Sequence, residues 1–186
     1  LIHLLNSGIK PENIIAITFT NKAANEMRSR VGQLSSRAGT AVKQFENSST
    51  HQLTNSPTPF IGTFHSLGVK ILKEESGLAG RTSYFTIFDE DDSLSLVKKI
   101  LAEMNLAKDR FNPLAIMAKI SQIKNELLDL GEVGNSQYEK IILLVFKKYE
   151  EALEKINAFD FDDLLEKTVR IFQGHPEVLE KYRDRW

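Results

Sequence analysis

The sequence predicts a mostly helical α/β chain, in which part of a parallel sheet near the N-terminus precedes an inserted all-α helical domain. Two observations carry this reading. Two short apolar runs, Ile14–Ile17 and Phe60–Ile61, each turn through a polar corner into a helical pattern, the grammar of strands alternating with helices. From Leu94 onward, apolar residues recur almost throughout at three- and four-residue spacing, the signature of amphipathic helices.

Taken in order, Leu1, Ile2, Leu4 and Leu5 read as the last turns of a helix closed by Asn6, Ser7 and Gly8. Ile14, Ile15, Ala16 and Ile17 suit a strand buried on both faces. Ala23, Ala24, Met27 and Val31 mark a helix from about Lys22 to Leu34, with Thr20 or Asn21 as its cap. Residues 35–59 turn to Ser, Thr, Asn, Gln and Gly, a composition that reads as a long flexible loop. A second strand, Phe60–Ile61, ends at Gly62; Thr63 caps a helix carrying Phe64, Leu67, Ile71 and Leu72. Tyr84–Phe88 is extended. Leu94, Val97, Leu101 and Met104 form the next stripe, and Pro113 opens a helix through Ile116, Ile120, Ile123, Leu127 and Leu130 that ends near Gly131. Tyr138 to Ile156 is a long amphipathic helix. Phe159–Asp163 interrupts, and two further helices carry Leu164–Phe172 and Val178–Trp186, separated at Gly174–Pro176. The start at Leu1 without Met and the stop at Trp186 suggest cuts within a larger protein.

The composition narrows the function classes. A hydrophobic fraction of 41% over 186 residues supports one sizeable core or two small ones. The net charge of −1 announces no nucleic-acid partner globally, although only a contact face need be positive. There is no cysteine, hence no disulfide or thiolate metal site. His3, His51, His65 and His175 share no metal-ligand spacing. No glycine-rich phosphate loop or nucleophile elbow occurs, so no catalytic centre is expected. The acidic runs Asp89–Asp92 and Asp160–Asp163 each precede a helix, where carboxylates cap N–H groups more readily than they bind a metal.

The two corners carry the candidate chemistry. Thr18, Thr20, Asn21, Lys22 and Thr63 offer hydroxyl, amide and ammonium donors suited to phosphate oxygens, and Phe19, Phe64 and His65 offer flat faces. Stacking of a base on an aromatic ring contributes roughly 1–3 kcal/mol and tolerates any base. Lys10, Lys22, Arg28, Arg30, Arg37 and Lys43 make the neighbourhood basic. Taken singly, each residue fits a structural role at least as well, the phenylalanines as core and the threonines as caps. Set side by side, the two corners would form one continuous rim.

Residues Ala16–Met27 closely resemble motif Ia of the UvrD/Rep/PcrA-like superfamily 1 DNA helicases, and Gly62–Ser66 resembles the next motif, Ib. The likeness continues through Phe85–Asp89, Ile120–Glu126, Asp160–Leu165 and Tyr182–Trp186. It implies an ATP-driven motor that moves 3′ to 5′ on single-stranded DNA and engages junctions of single and double strands. By this resemblance, residues 1–64 are part of the first RecA-like domain (1A), residues 65–158 are its helical insertion (1B), and residues 159–186 return toward 1A. Phe19, Thr20, Asn21, Thr63, Phe64 and His65 would line the DNA strand, with Phe19 and Phe64 contacting bases and Lys22 a phosphate. The family's ATP and Mg²⁺ motifs would lie outside this chain, so the chain alone should not hydrolyse ATP. A cytoplasmic, nucleoid-associated bacterial location follows from the same likeness. A helicase–nuclease subunit of the RecB/AddA kind and a non-enzymatic helical module that binds DNA or a partner are the competing readings.

Overall fold

The computed structural model describes residues 1–37, 58–106, 111–131, 133, 134 and 136–186. Most of the segment read as a flexible loop, with Lys43 and His51, lies outside them. The chain divides into two compact units, Leu1–Leu67 with His175–Trp186, and Gly68–Gly174.

In the first unit, α1 (Ile2–Asn6) and a short 3₁₀ turn at Pro11–Asn13 lead into β1 (Ile15–Thr18), α2 (Asn21–Arg37) and β2 (Phe60–Thr63). The strands run parallel, with Ile15 opposite Phe60 and Thr18 opposite Thr63. Helix α2 packs on this pair and buries Ala24 and Val31 beside Ile14 and Ile61. The Arg28 guanidinium reinforces that packing by donating to the Ile61 carbonyl at 3.0 and 2.6 Å. Helix α3 (Phe64–Glu74) begins directly after β2. The last helix, α8 (Pro176–Arg185), buries Val178 and Tyr182; the Trp186 ring lies 6.3 Å from that of Phe60.

Three features differ from what the sequence predicts. Helix α2 runs on to Arg37, into the segment read as loop. Strand β2 extends past Gly62 to Thr63. Residues Ile15–Thr18 are only half-buried, because among the described residues β1 pairs with β2 alone. A strand with a single neighbour has less cover than the interior of a wide sheet.

The second unit is helical. Its core is Val97, Ile100 and Leu101 from α4 (Glu90–Glu103), Ile116, Ile120 and Ile123 from α5 (Pro113–Asn125), and Ile142, Val145, Tyr149 and Leu153 from α6 (Gln137–Lys155). A two-residue parallel pair, β3 (Thr86–Ile87) with β4 (Ala158–Phe159), precedes α7 (Asp163–Gly174). The buried Arg81 donates to the Ala158 carbonyl at 3.0 Å and lies over the Phe159 ring. Neither β4 nor this arginine was foreseen.

Helix α5 stops at Asn125, short of the expected end near Gly131. The Leu128 N–H donates to the Ile123 carbonyl and the Leu127 N–H to that of Lys124, while Leu127 takes φ +53°. This is a left-handed helix termination normally built on glycine or asparagine. Helix α4 ends the same way at Asn105, a residue that tolerates the conformation.

At Gly68 in α3, an added Cβ would lie 2.1 Å from the Leu164 carbonyl oxygen of α7. Only glycine permits that approach.

Candidate nucleic-acid interface

The register that sets Thr18 opposite Thr63 brings the carboxyl ends of both strands, and the corners after them, to one edge. The Phe19 and Phe64 rings meet there at a centroid distance of 5.6 Å, tilted by 49°. Phe19 is 91% exposed and Phe64 45%. The two corners therefore form the single rim that their sequences suggested.

Local hydrogen bonds fix each corner. At the first, the Thr20 hydroxyl accepts from the Ala23 N–H at 3.2 Å and so caps α2. The Thr18 hydroxyl donates to the Thr20 carbonyl at 2.9 Å, which closes the turn that carries Phe19. At the second, Thr63 and Ser66 cap reciprocally. The Thr63 N–H donates to Ser66 Oγ at 2.7 Å, and the Ser66 N–H donates to Thr63 Oγ1 at 3.2 Å. Gly62 makes room for this, since a Cβ there would stand 2.3 Å from the Ser66 hydroxyl. The order of residues from Gly62 to Ser66 is thus a local folding instruction that sets Phe64 on the first turn of a capped helix.

Of the residues singled out from sequence, Phe19, Thr20, Asn21, Lys22 and Phe64 are exposed, and His65 is half-buried. Thr63 is buried and its hydroxyl is engaged with Ser66. Among the described residues, two of the cations expected to make this surface basic are engaged within the chain. Arg28 turns inward to Ile61, and Arg30 pairs with Glu26 at 2.6 Å. Lys22 stays exposed on the first turn of α2.

The second unit contains a charged cluster that the sequence did not announce. Lys124 is fully buried, with Nζ at 2.7 Å from each of Glu150, Asp160 and Asp163. Lys167 joins at 2.7 Å from Glu150, and Glu166 lies between Lys167 and Arg170. The Tyr149 hydroxyl donates to Asp160 at 2.9 Å. Burial alone would lower the Lys124 ammonium, but Asp163, Glu150 and Asp160 outweigh it and hold it well above the usual lysine range. Burial pushes the Asp163 carboxyl up to about 7 against the pull of Lys124, with Asp160 and Glu150 adding to the push. Glu150 moves the opposite way: burial raises it, but Lys124 and Lys167 together hold it below the ordinary range. One signal was available in sequence, since Lys124 falls eight residues after Ile116 on the stripe of Ile116, Ile120 and Ile123.

Both acidic runs act as caps, as expected. Asp89 and Asp92 form a reciprocal box at the start of α4. The Asp160 N–H donates to Asp163 Oδ2 at 3.0 Å and the Asp163 N–H to Asp160 Oδ1 at 2.8 Å. With Lys124 already on Asp160 and Asp163, this donor set does not fit a divalent cation. Neither strand-to-helix corner has the glycine-rich form of a nucleotide-phosphate cradle.

The first unit is thus a small α/β unit whose parallel strand pair delivers aromatic and polar groups to one rim. All 186 residues match the UvrD/REP helicase N-terminal domain, and the chain belongs to that family. It is 36% identical over 181 residues to the ATP-dependent DNA helicase PcrA of Bacillus subtilis (strain 168). It is 34% identical to the PcrA of Staphylococcus epidermidis (strain ATCC 35984) and 33% identical to that of Staphylococcus aureus (strain Mu50). Each match covers 96% of this chain and 22% of the relative, so the chain spans about a fifth of the length of these curated relatives. Among the described residues no helix is long and apolar enough to cross a membrane.

Proposed function

We propose that this chain forms part of the N-terminal motor region of an ATP-dependent 3′ to 5′ DNA helicase, and that its two corners are a section of the single-stranded DNA track. The observation that carries the reading is the Phe19–Phe64 pair, exposed at the carboxyl ends of two parallel strands, where open α/β sheets bind their ligands. Bases stack on aromatic surface there, while Thr20, Asn21, Lys22 and His65 hold backbone or base edges, with Thr63 keeping the second corner in shape. Rings with backbone donors grip a strand without choosing its sequence. Residues 1–64 belong in this reading to domain 1A, 65–158 to the insertion 1B, and 159–186 to the return toward 1A.

The ATP named in the relatives' description, with the Mg²⁺ that accompanies it, is bound by residues outside this chain. Nucleotide binding there would alternately tighten and release the strand, with motif Ia carrying the movement to Phe19. Junctions of single and double strands are the substrate.

Fluorescence anisotropy with labelled oligo-dT tests the proposal. The chain is expected to bind weakly, with affinity falling as salt rises because phosphate contacts release counterions. In the full-length protein, Phe19→Ala should weaken DNA binding and slow unwinding. Unchanged affinity and unchanged unwinding would refute the track.

A further inference from the structure

The outer edge of β2 is closed by one side chain from the helix of each corner. The Phe60 N–H donates to the Ile14 carbonyl at 2.9 Å, so Phe60 turns its peptide groups toward β1, as does Gly62 further along the strand. Ile61 and Thr63 therefore turn theirs the other way, where among the described residues no strand pairs. On that side the Ile61 carbonyl accepts from Nε and Nη2 of Arg28 on α2, at 3.0 and 2.6 Å. The Thr63 N–H donates to Ser66 Oγ on α3 at 2.7 Å. We infer that Arg28 is a positioning residue that locks the helix of the first corner to the strand of the second, so that both corners hold DNA as one rigid rim. The inference rests on the proposed single-strand track.

Three features separate this fork from an ordinary packing contact. Its orientation is fixed from within α2, because Nη1 donates to Asn25 Oδ1 at 2.6 Å, one turn earlier. Its acceptor is a main-chain oxygen of a paired strand, which cannot swing aside as a side-chain acceptor can. Its place is directly behind the rim. Arg28 stands about two turns past the Thr20 cap, and Ile61 lies just ahead of Thr63 at the end of β2. The β1–β2 ladder aligns the strands alone; the guanidinium ties α2 to that ladder across 33 residues of chain.

The consequence is a rim set before DNA arrives, which spares binding the cost of ordering it. A displacement delivered to either corner then reaches both.

The test uses the full-length protein and follows its ATP hydrolysis against the concentration of oligo-dT. Arg28→Ala is expected to raise the half-saturating concentration about tenfold, with a smaller change in the rate at saturating DNA. Arg28→Lys keeps the charge and loses the planar fork, so its half-saturating concentration should stay raised nearly as far. Asn25→Ala leaves the fork in place but unoriented; it should give a fraction of the effect and add nothing in an Arg28→Ala background. Asn25→Ala and Arg28→Lys also decide the matter if Arg28→Ala does not fold. A lowered Tm with the half-saturating concentration unchanged in every variant that folds would make Arg28 purely structural and overturn the inference, while the track stands. Full recovery by Arg28→Lys would also overturn it, since charge alone then suffices. If Lys22→Ala and Phe64→Ala leave the half-saturating concentration unchanged as well, the track fails and takes this inference with it.

Discussion

Replacing Lys124 by methionine tests the charged cluster of the second unit most directly. Methionine has similar length and packs in apolar surroundings, so the change removes the ammonium with little loss of volume. Three carboxylate oxygens at 2.7 Å then lose their shared cation. Removing one partner of a buried ion pair costs about 3–5 kcal/mol, because the other charge stays buried and uncompensated. Three such costs do not add here. Lys167 already holds Glu150 at 2.7 Å and approaches Asp163 at 3.7 Å, the Tyr149 hydroxyl serves Asp160, and the Asp163 carboxyl can take up a proton. The expected loss is therefore about 3–4 kcal/mol at neutral pH. With a urea slope of about 2 kcal/mol per molar, the unfolding midpoint falls by roughly 1.5–2 M. The pH dependence has a definite sign. Without Lys124, the folded state binds protons on these carboxylates at pH values where the unfolded chain has released them. Between about pH 4 and 7 the variant's stability must therefore fall as pH rises, more steeply than that of the unsubstituted chain. Urea titrations at pH 5 and 7 read both effects, and adding Asp163→Asn should restore part of the loss. A cost under about 1 kcal/mol, or one that does not shrink at pH 5, would refute the cluster as the support of this corner.

Other outcomes can be checked with the same chain. Gly68→Ala forces a Cβ toward a backbone carbonyl that cannot turn aside, so it should cost about 3 kcal/mol and lower Tm by roughly 6–12 °C in calorimetry; a shift under about 2 °C contradicts the close approach. Lys124 and Lys167 are both raised above the ordinary 10.5, so the stability they give is complete below that pH and is lost as pH rises through their folded values. Denaturant midpoints should accordingly fall more steeply above pH 10.5 than in Lys124→Met. The chain by itself should release no phosphate from ATP with or without oligo-dT, and DNA-stimulated release would show that it contains a nucleotide site.

The sequence was most legible where local rules suffice. The apolar stripes of α4, α6 and α7, the caps at Thr20, Thr63, Asp89 and Asp160, and the paired corners were all readable from spacing and from residue type at a helix start. What escaped depends on partners distant in the chain. Lys124 reads as a solvated lysine until α6 and the Asp160–Asp163 turn close around it, 26 to 39 residues further on. Arg28 reads as part of a basic surface until its guanidinium meets the Ile61 carbonyl. The end of α5 escaped for another reason. Leu127 adopts a left-handed backbone that its side chain disfavours, so no glycine or asparagine marks the stop.

The corners show why structural and functional readings of the same residues need not compete. Taken one at a time, Thr20 and Thr63 are caps, and the hydrogen bonds confirm that role. Yet an aromatic ring held 91% open to water gains little from folding, since the stabilisation from an apolar side chain scales with the area it removes from solvent. Around it, Thr18, Thr20, Gly62, Thr63, Ser66 and Arg28 all spend their hydrogen bonds or their lack of bulk on fixing the two turns. A surface ring needs no such frame to stay soluble or folded; in the proposed single-strand track, a ring that meets a moving base at a fixed height does. The caps supply the rigidity, and under the proposed function exposed Phe19 is the part that rigidity serves.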